Sequence, residues 1–272
     1  MSHPTTAADI LASMGRAGSR LDHMNAVEAA AGNISVTLRD TPPDLEELFP
    51  ETGRIELPVA VPGLAGWTFF VTGSGSRLRD IAAAPTATVS VITVDDSGRR
   101  GVWHTSPDRD FERPTSEFNS HLGVHEDQVL RRGLDFHTVI HAQPPHLVTL
   151  SHLPELRNDR DFNRTILRWE PETLVQVPAG IKVLDFMVPG GEELGRANVE
   201  ALRTHQIVLW SKHGIMVRSD VSPLSAVDKV EYLEAGATYA CRDLATGSRG
   251  EGLTDEELHR VIEAFGVPTD LF

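Results

Sequence analysis

The stretch Gln206-Ile-Val-Leu-Trp-Ser-Lys-His-Gly-Ile-Met-Val-Arg218 decides the predicted fold, because it places two apolar β-type runs on either side of a polar break. The runs cover residues 207–210 and 215–217, and the break holds His213 beside a glycine. A histidine in such a break is expected at a strand end, where glycine lets the backbone approach a ligand closely. Taken alone, a solvated turn histidine is the simpler interpretation.

A second apolar run, Thr138-Val-Ile-His-Ala-Gln143, also brings a histidine to a strand end. His141 stands near the end of this run, just before two prolines that end the strand. Two histidines presented by two buried strands are typical ligands of a divalent transition metal. The pair His141 and His213 therefore predicts a metal site.

Composition and charge narrow the classes of function. The 272 residues are 40% hydrophobic and 24% charged, which is typical of a soluble globular protein with a sizeable core. A net charge of −14 argues against a nucleic-acid surface, although backbone N–H groups and a metal can still bind a small anion. No apolar run reaches membrane-spanning length, and the N-terminus lacks a signal-peptide pattern. With Cys241 as the single cysteine, these features predict a cytoplasmic protein without a membrane partner.

The order of predicted elements indicates one α/β domain over residues 1–272, with a central, largely antiparallel β-sheet covered by helices on its faces. Residues 41–56, rich in proline and glycine, are predicted as a surface loop or short helix. The predicted strands are 32–39, 67–72, 87–94, 101–104, 138–141, 174–177 and the two runs around His213, and the predicted helices are 7–21, 115–130, 145–153, 161–169, 192–205, 224–244 and 253–265.

Several further residues are weak signals when taken singly. Gly73-Ser-Gly-Ser76 lacks the lysine of a Walker loop, so it is either a plain turn or an anion nest to which Ser74 and Ser76 add hydroxyl donors. Glu117 stands at a predicted helix start, where a capping carboxylate is the simpler interpretation. His121 lies one turn further along the same helix face and is interpreted as a neighbour rather than a ligand.

Other catalytic mechanisms find less support in the sequence. A Schiff-base enzyme needs a desolvated lysine, and the chain has only Lys182, Lys212 and Lys229. Lys229 falls in a long amphipathic helix and is predicted to be solvated, which leaves Lys212 as the lysine to test. No serine stands in a nucleophile-elbow pattern.

Taken together, five motifs occur in the order seen in class II aldolases. They are Gly32-Asn33-Ile-Ser, Val71-Thr-Gly-Ser-Gly75, Pro114-Thr-Ser-Glu117, His141 with its following proline, and Trp210-Ser-Lys-His213-Gly214. The chain resembles this superfamily from about residue 10 to the C-terminus. Met187-Val-Pro-Gly190, followed by Glu193 and Gly195, resembles the rhamnulose-1-phosphate aldolases within it.

The resemblance implies a lyase that cleaves a ketose 1-phosphate of the L-rhamnulose type to dihydroxyacetone phosphate and an aldehyde such as L-lactaldehyde. His141 and His213 would bind one divalent metal per subunit, zinc in the family, and Glu117 would be the acid/base. Glu172 would reach the active site of a neighbouring subunit in a homotetramer. The substrate and its phosphate would be bound by Gly32, Asn33, Ser74, Gly75, Thr115 and Ser116.

The chemistry agrees with these residue types independently of the resemblance. Cleaving a carbon–carbon bond beside a carbonyl leaves an enediolate, whose charge a metal can stabilise. A carboxylate near that metal can then shuttle protons.

Two positions depart from the family pattern. Where the family has two histidines separated by one residue, this chain has His141-Ala142-Gln143. Gln143 can ligate through its amide oxygen, a harder and weaker donor, so zinc is the expected metal and manganese, magnesium or cobalt are the alternatives. His146 is the alternative third ligand. Ala30 stands where the sugar-phosphate enzyme carries a substrate-holding asparagine, so an unphosphorylated or pyruvate-type donor is the alternative substrate.

Two further classes of function remain open from the sequence. The same fold hosts sugar-phosphate epimerases and dehydratases, which keep the metal but need a different acid/base partner. It also hosts adducin-type interaction modules without a metal, and the missing histidine at position 143 is the feature that favours them. Against a module, Glu117, His141 and His213 are all present.

Overall fold

The computed structural model of the protein describes residues 4–272, so residues 1–3 of the predicted domain lie outside the described range. The helices within this range are α1 (Ala7–His23), α2 (Leu45–Leu48), α3 (Pro85–Thr88), α4 (Phe118–Arg132), α5 (Pro145–Leu150), α6 (Asp159–Leu167), α7 (Pro171–Gln176), α8 (Glu192–Ala201), α9 (Pro223–Ala245) and α10 (Asp255–Phe265). The strands are β1 (Asn33–Leu38), β2 (Glu51–Glu56), β3 (Thr68–Thr72), β4 (Val89–Val94), β5 (Arg100–Thr105), β6 (Phe136–Ala142), β7 (Lys182–Leu184), β8 (Ile207–Trp210) and β9 (Gly214–Ser219).

These nine strands form one sheet in the order β2-β5-β4-β3-β1-β6-β9-β8-β7. Every neighbouring pair is antiparallel except β7 with β8. The predicted mixed α/β fold with one large sheet and helices is therefore confirmed. Within residues 4–272, no helix combines the length and apolar character that crossing a bilayer requires.

Side-chain alternation along the central strands gives the sheet two apolar faces, both covered by helices. On β6, Ile140 belongs to the core that includes buried side chains of α1, α5, α6 and α9. Its neighbour Val139 points to the opposite face, where it packs with buried residues of α4 and α8. Because successive strand side chains face opposite sides, a strand whose residues are all apolar must be covered on both faces.

Residues 174–177 form no strand, so that prediction is wrong. They overlap the C-terminal half of α7, although Leu174 and Val177 are apolar and buried as a strand would require. These residues are helical because a helix start lies just before them. Pro171 occupies the first helical turn, and the Glu170 side chain accepts hydrogen bonds from two backbone N–H groups there.

Two strands at the sheet edges were not predicted. Residues 41–56 contain the short helix α2 but also β2, which is almost entirely exposed. Its pairing with β5 supplies the backbone hydrogen bonds, and no apolar alternation marks it in the sequence. Strand β7 has three residues, too few to show a period, and pairs in parallel with β8.

The register of the central strands gathers the ends of several elements at one place. Asn33, the first residue of β1, pairs with His141 near the end of β6. His141 pairs on its other side with Met216 of β9, two residues beyond Gly214 at the β8–β9 turn. The start of β1, the end of β6 and this turn therefore lie side by side.

Candidate active site

A cavity of about 180 Å³ lies at this meeting point of strand ends. Ten of the eleven predicted site residues line it, and Glu172 is the exception. The complete lining is Ala30, Ala31, Gly32, Asn33, Gly73, Ser74, Gly75, Thr115, Ser116, Glu117, His141, Gln143 and His213. The fold therefore brings together five separate parts of the sequence, around residues 30–33, 73–75, 115–117, 141–143 and 213.

His141 is held so that one ring nitrogen is available to a ligand. Its Nδ1 lies 2.8 Å from the backbone oxygen of Ile215, which can only accept, so Nδ1 donates this hydrogen bond and Nε2 is the nitrogen that faces a ligand. The ring stacks on Trp210, with centroids 4.4 Å apart and planes 23° apart. The indole is fixed in turn, because its N–H donates to Asn198 Oδ1 at 2.6 Å. Such outer contacts orient a metal-binding imidazole.

His213 lies in the tight turn between β8 and β9. The preceding residue, Lys212, has φ of 66°, and its backbone N–H donates to Ser151 Oγ at 2.7 Å. A Cβ at Gly214 would lie 2.9 Å from His141 Cε1, so only glycine lets β9 begin this close to the other ring. Burial, followed by the proximity of His141, lowers the pKa of His213, which keeps its imidazole neutral and able to bind a metal.

Glu117 joins the two histidines from the N-cap position of α4. Its side chain makes no cap hydrogen bond, so the capping interpretation is wrong. Instead the buried carboxylate accepts a hydrogen bond from Asn33 Nδ2 at 2.8 Å, and the same oxygen lies 3.6 Å from His141 Nε2. Ligand atoms of Glu117, His141 and His213 all lie within 4.8 Å of one another, which is a spacing that can hold a metal ion.

Gln143 lies beside this cluster, with its amide nitrogen 3.1 Å from His141 Nε2. Within residues 4–272, Gln143 Oε1 and His213 Nδ1 are buried without a hydrogen-bond partner. Amide oxygen and nitrogen are interchangeable by a half-turn of the side chain. A cation would satisfy these acceptor atoms, so the residues present fit a divalent metal.

His146 lies outside the cavity, and its proposal as a substitute ligand is wrong. Its Nδ1 is 2.7 Å from the buried carboxylate of Glu234. The same carboxylate accepts the backbone N–H groups of His146 and Leu147 at the start of α5. The imidazole is thus occupied at a helix N-terminus rather than directed at His141.

Comparison with known proteins agrees with this arrangement. Residues 12–241 match the family of class II aldolase and adducin N-terminal domains. The chain belongs to this family. The rhamnulose-1-phosphate aldolase of Klebsiella pneumoniae (strain 342) is 29% identical to this chain over 244 residues, which are 88% of this chain and 87% of that protein. The rhamnulose-1-phosphate aldolase of Pectobacterium atrosepticum (strain SCRI 1043) is 30% identical over 247 residues, with the same two coverages.

Among solved structures, a sugar-phosphate aldolase from Thermotoga maritima is similar, with a TM-score of 0.74 and 27% identity. The match covers 90% of this chain and 99% of that chain. The predicted resemblance to class II aldolases close to the rhamnulose-1-phosphate enzymes is confirmed, as is the prediction of an aldolase-type lyase.

The segment 73–76, a phosphate-binding element by family resemblance, is only partly available to a ligand. The Ser74 N–H donates to the carbonyl of Arg113 at 2.8 Å, and Ser76 Oγ donates to Asp110 Oδ1 at 2.9 Å. The prediction of Ser76 as a ligand donor is therefore wrong, since it lies outside the cavity lining. The Ser74 hydroxyl and Gly75 remain at the cavity wall.

The rest of the predicted substrate pocket is neutral. Thr115 is buried, and its hydroxyl accepts the Glu117 N–H at 3.4 Å, whereas Ser116 is exposed at the mouth of the cavity. Ala30 contributes only a methyl group. The lining contains neither lysine nor arginine.

None of the three lysines takes part in the site. Lys212 is exposed, and Lys182 forms an ion pair with Asp159. The prediction that Lys229 is solvated is wrong: it is buried, and its ammonium donates to the Ser225 carbonyl at 2.9 Å. A Schiff-base mechanism therefore has no lysine at this cavity.

Glu172 lies in the first turn of α7, exposed and outside the cavity of its own chain. Its role in a neighbouring subunit stays a prediction.

Behind the cavity, a row of buried polar side chains was missed by sequence reasoning. Asn33 Oδ1 contacts His121 Nε2, whose other nitrogen lies 2.6 Å from Ser35 Oγ. Ser35 Oγ lies 2.7 Å from His125 Nε2, and His125 Nδ1 lies 2.8 Å from His137 Nδ1. The available signal was the spacing of His121 and His125, one helical turn apart, opposite polar residues on predicted strands.

These three histidines are neutral in the folded protein. Burial, with a smaller contribution from His141, lowers the pKa of His121 to about 3. Burial also holds the pKa values of His125 and His137 well below the usual range, and neighbouring basic groups add to the effect.

We expect this row to make stability depend on pH. The unfolded chain binds protons on these histidines below about pH 6.5, whereas the folded chain does not, so stability present above that pH is lost as pH falls towards 3. From pH 7 to pH 5.5 each histidine should cost roughly 1 kcal/mol, so the three together should cost a few kcal/mol. Urea unfolding of the metal-free protein measures this change, and a constant free energy of unfolding over the interval would contradict it. The control His259→Asn, at an exposed position of α10, should keep the same slope.

Proposed function

We propose that this protein is a metal-dependent aldolase that cleaves a ketose 1-phosphate of the L-rhamnulose type to dihydroxyacetone phosphate and an aldehyde such as L-lactaldehyde. The observation that carries the proposal is the convergence of Glu117, His141 and His213 within 4.8 Å at a small cavity. Relatives named rhamnulose-1-phosphate aldolase, at 29% and 30% identity, support the choice of substrate.

The metal would be held by His141 and His213, with the Gln143 amide oxygen as third ligand and the Glu117 carboxylate adjacent. A divalent cation held by these residues would supply positive charge that stabilises the anion left by cleavage. Zinc suits the imidazoles, and the harder amide oxygen of Gln143 makes manganese, cobalt or magnesium alternatives.

Glu117 would move the proton at the carbon next to the ketone. During cleavage the carbon–carbon bond breaks, the hydroxyl of the departing aldehyde loses its proton, and its electron pair forms the carbonyl. The donor carbon keeps the electron pair of the broken bond and takes up one proton, so protons balance overall. Asn33 donates a hydrogen bond of 2.8 Å to the Glu117 carboxylate, which is buried at the cavity wall.

The phosphate would be bound by dipoles rather than by side-chain cations. Gly32, Asn33, Ser74, Gly75, Thr115 and Ser116 would provide these contacts, since they line the cavity and include amide and hydroxyl groups.

A second candidate, an aldolase with an unphosphorylated or pyruvate-type donor, is favoured by two observations. Ala30 offers no hydrogen bond, and the Ser74 N–H is already bonded to Arg113. Both reduce the number of donors that a phosphate could use.

The proposal includes a single domain over residues 1–272 and a cytoplasmic homotetramer, in which Glu172 of one subunit would complete the site of the next. Glu172 is exposed and lies outside the cavity of its own chain, which is compatible with a role in the site of a neighbouring subunit.

Glu117→Gln should reduce exchange of the donor's carbon-bound proton with solvent by at least about a thousandfold, because general acid/base groups contribute about this much. Metal content should stay equal to that of the unmodified protein, since both histidines remain. Proton exchange is followed by NMR in deuterated water and metal content by mass spectrometry. Glu126→Gln on the same helix, outside the cavity, is the control, and full exchange in Glu117→Gln would remove Glu117 from its role.

Gln143→His should raise zinc affinity by about tenfold or more, because it replaces a weak amide donor with an imidazole. Competition titration with a chelating dye measures the affinity. His146→Asn is the matched control and should leave affinity unchanged, given its pairing with Glu234. Equal zinc affinity in Gln143→His and the unmodified protein would show that position 143 is not a ligand.

The substrate is tested by retro-aldol assays on rhamnulose, fuculose and ribulose phosphates and on the unphosphorylated ketoses, each with added zinc, manganese, cobalt or magnesium. We expect the highest kcat/KM with rhamnulose 1-phosphate. Ala30→Asn should raise that value by about tenfold or more, since a hydrogen bond to a charged group contributes about 1.5–3 kcal/mol. The kcat/KM for the unphosphorylated ketose should be the same in Ala30→Asn and in the unmodified protein. Equal or better cleavage of unphosphorylated substrates would favour the second candidate.

A further inference from the structure

The row of polar side chains behind Glu117 has a defined direction, which follows from the chemistry of its members. Asn33 gives its amide N–H to Glu117, so its Oδ1 faces His121 Nε2. An amide oxygen can only accept, and therefore Nε2 of His121 carries the proton. A neutral imidazole has one N–H, so Nδ1 of His121 accepts, and the hydroxyl of Ser35 must donate to it.

The same reasoning continues along the row. Because the Ser35 proton is used, its oxygen accepts from His125 Nε2–H. His125 Nδ1 is then an acceptor, and His137 Nδ1 donates to it. His137 Nε2 is left without a proton, and it is a buried atom without a hydrogen-bond partner within residues 4–272. Every donor in the row thus points towards Glu117.

We propose that Ser35, His121, His125 and His137 are positioning residues, which hold Asn33 in one amide orientation and, through it, hold the Glu117 carboxylate with a one-directional chain of hydrogen bonds. The inference rests on the proposed function to the extent that Glu117 is the acid/base.

The chain of hydrogen bonds fixes the orientation of the Asn33 amide, because the opposite orientation would be unfavourable on both sides of that amide. A half-turn of the amide would set its oxygen against the Glu117 carboxylate and its N–H groups against the N–H of His121. Each contact would then join two acceptors or two donors, and unsatisfied buried polar groups cost about 1–3 kcal/mol each. With the order observed, all these groups are satisfied.

The chain of hydrogen bonds also places aligned dipoles beside the buried Glu117 carboxylate without burying a further charge. Hydrogen bonds in series polarise one another in a low-dielectric interior, and each here presents its positive end in the direction of Glu117. The members come from β1, α4 and β6, the three elements that carry Asn33, Glu117 and His141. The chain therefore connects the parts of the structure that position the acid/base.

Neutron crystallography locates the exchangeable protons directly and requires no activity. We expect deuterium on Nε2 of His121 and His125 and on Nδ1 of His137, with each ring carrying a single proton. A proton on Nδ1 of His121 or His125, or a doubly protonated ring, would overturn the proposed direction. This result also stands if a variant of the chain fails to fold.

Ser35→Ala interrupts the chain at its centre. Ser90→Ala is the matched control, because Ser90 lies in the same row of the sheet, is equally buried, and its hydroxyl has no partner within the described residues. We expect kcat of the cleavage reaction to fall about tenfold in Ser35→Ala, equivalent to about 1.4 kcal/mol of barrier, with KM within about twofold and metal content unchanged. Ser90→Ala should retain kcat.

Equal kcat values in the two serine variants would overturn the positioning role, as would a change confined to KM. Failure of the proposed function is recognised separately, because Glu117→Gln would then retain proton exchange while the proton positions in the chain stayed as described.

Discussion

The pairing register of β1, β6 and β9 is the constraint on which the site depends. It sets Asn33 beside His141 and His141 beside Met216, so that the β8–β9 turn reaches the same place. A slip of one residue would send each of these side chains to the other face of the sheet. The register is fixed by burial, since Ile34 and Ile140 are completely buried in one core and could not exchange faces with the adjacent polar residues Asn33 and His141.

This dependence explains why much of the site could be predicted from sequence. His141 and His213 were identified because each follows an apolar run, and a buried strand delivers its last residues to a definite edge. The family resemblance then supplied Glu117 and the pocket residues. Of the eleven predicted site residues, histidines included, ten line one cavity. Edge strand β2 was missed because an exposed strand leaves no hydrophobic period, and α7 was taken for a strand because Glu170 and Pro171 outweigh the apolar run that follows.

The histidine row shows what local reasoning could not reach. His121 and His125 are one turn apart on α4, but their partner Ser35 is 86 and 90 positions away in the chain. Polar residues on a strand normally predict a solvated face, and here the face is covered by a helix that brings its own polar groups. Only the packing of α4 on the sheet reveals that these groups satisfy one another, so their burial needs no ion pair.

The charges around the cavity explain why a metal is central to the proposed reaction. The lining offers the Glu117 carboxylate but no lysine or arginine, and the whole chain carries a net charge of −14. A phosphorylated ketose entering this space would meet an anion of its own sign, with amide and hydroxyl dipoles as its only protein partners. The neutral histidines behind Glu117 add dipoles but no charge. Because the lining itself supplies no positive side chain, a divalent cation held by His141 and His213 would provide the positive charge that the phosphorylated substrate and the developing anion of the proposed reaction need.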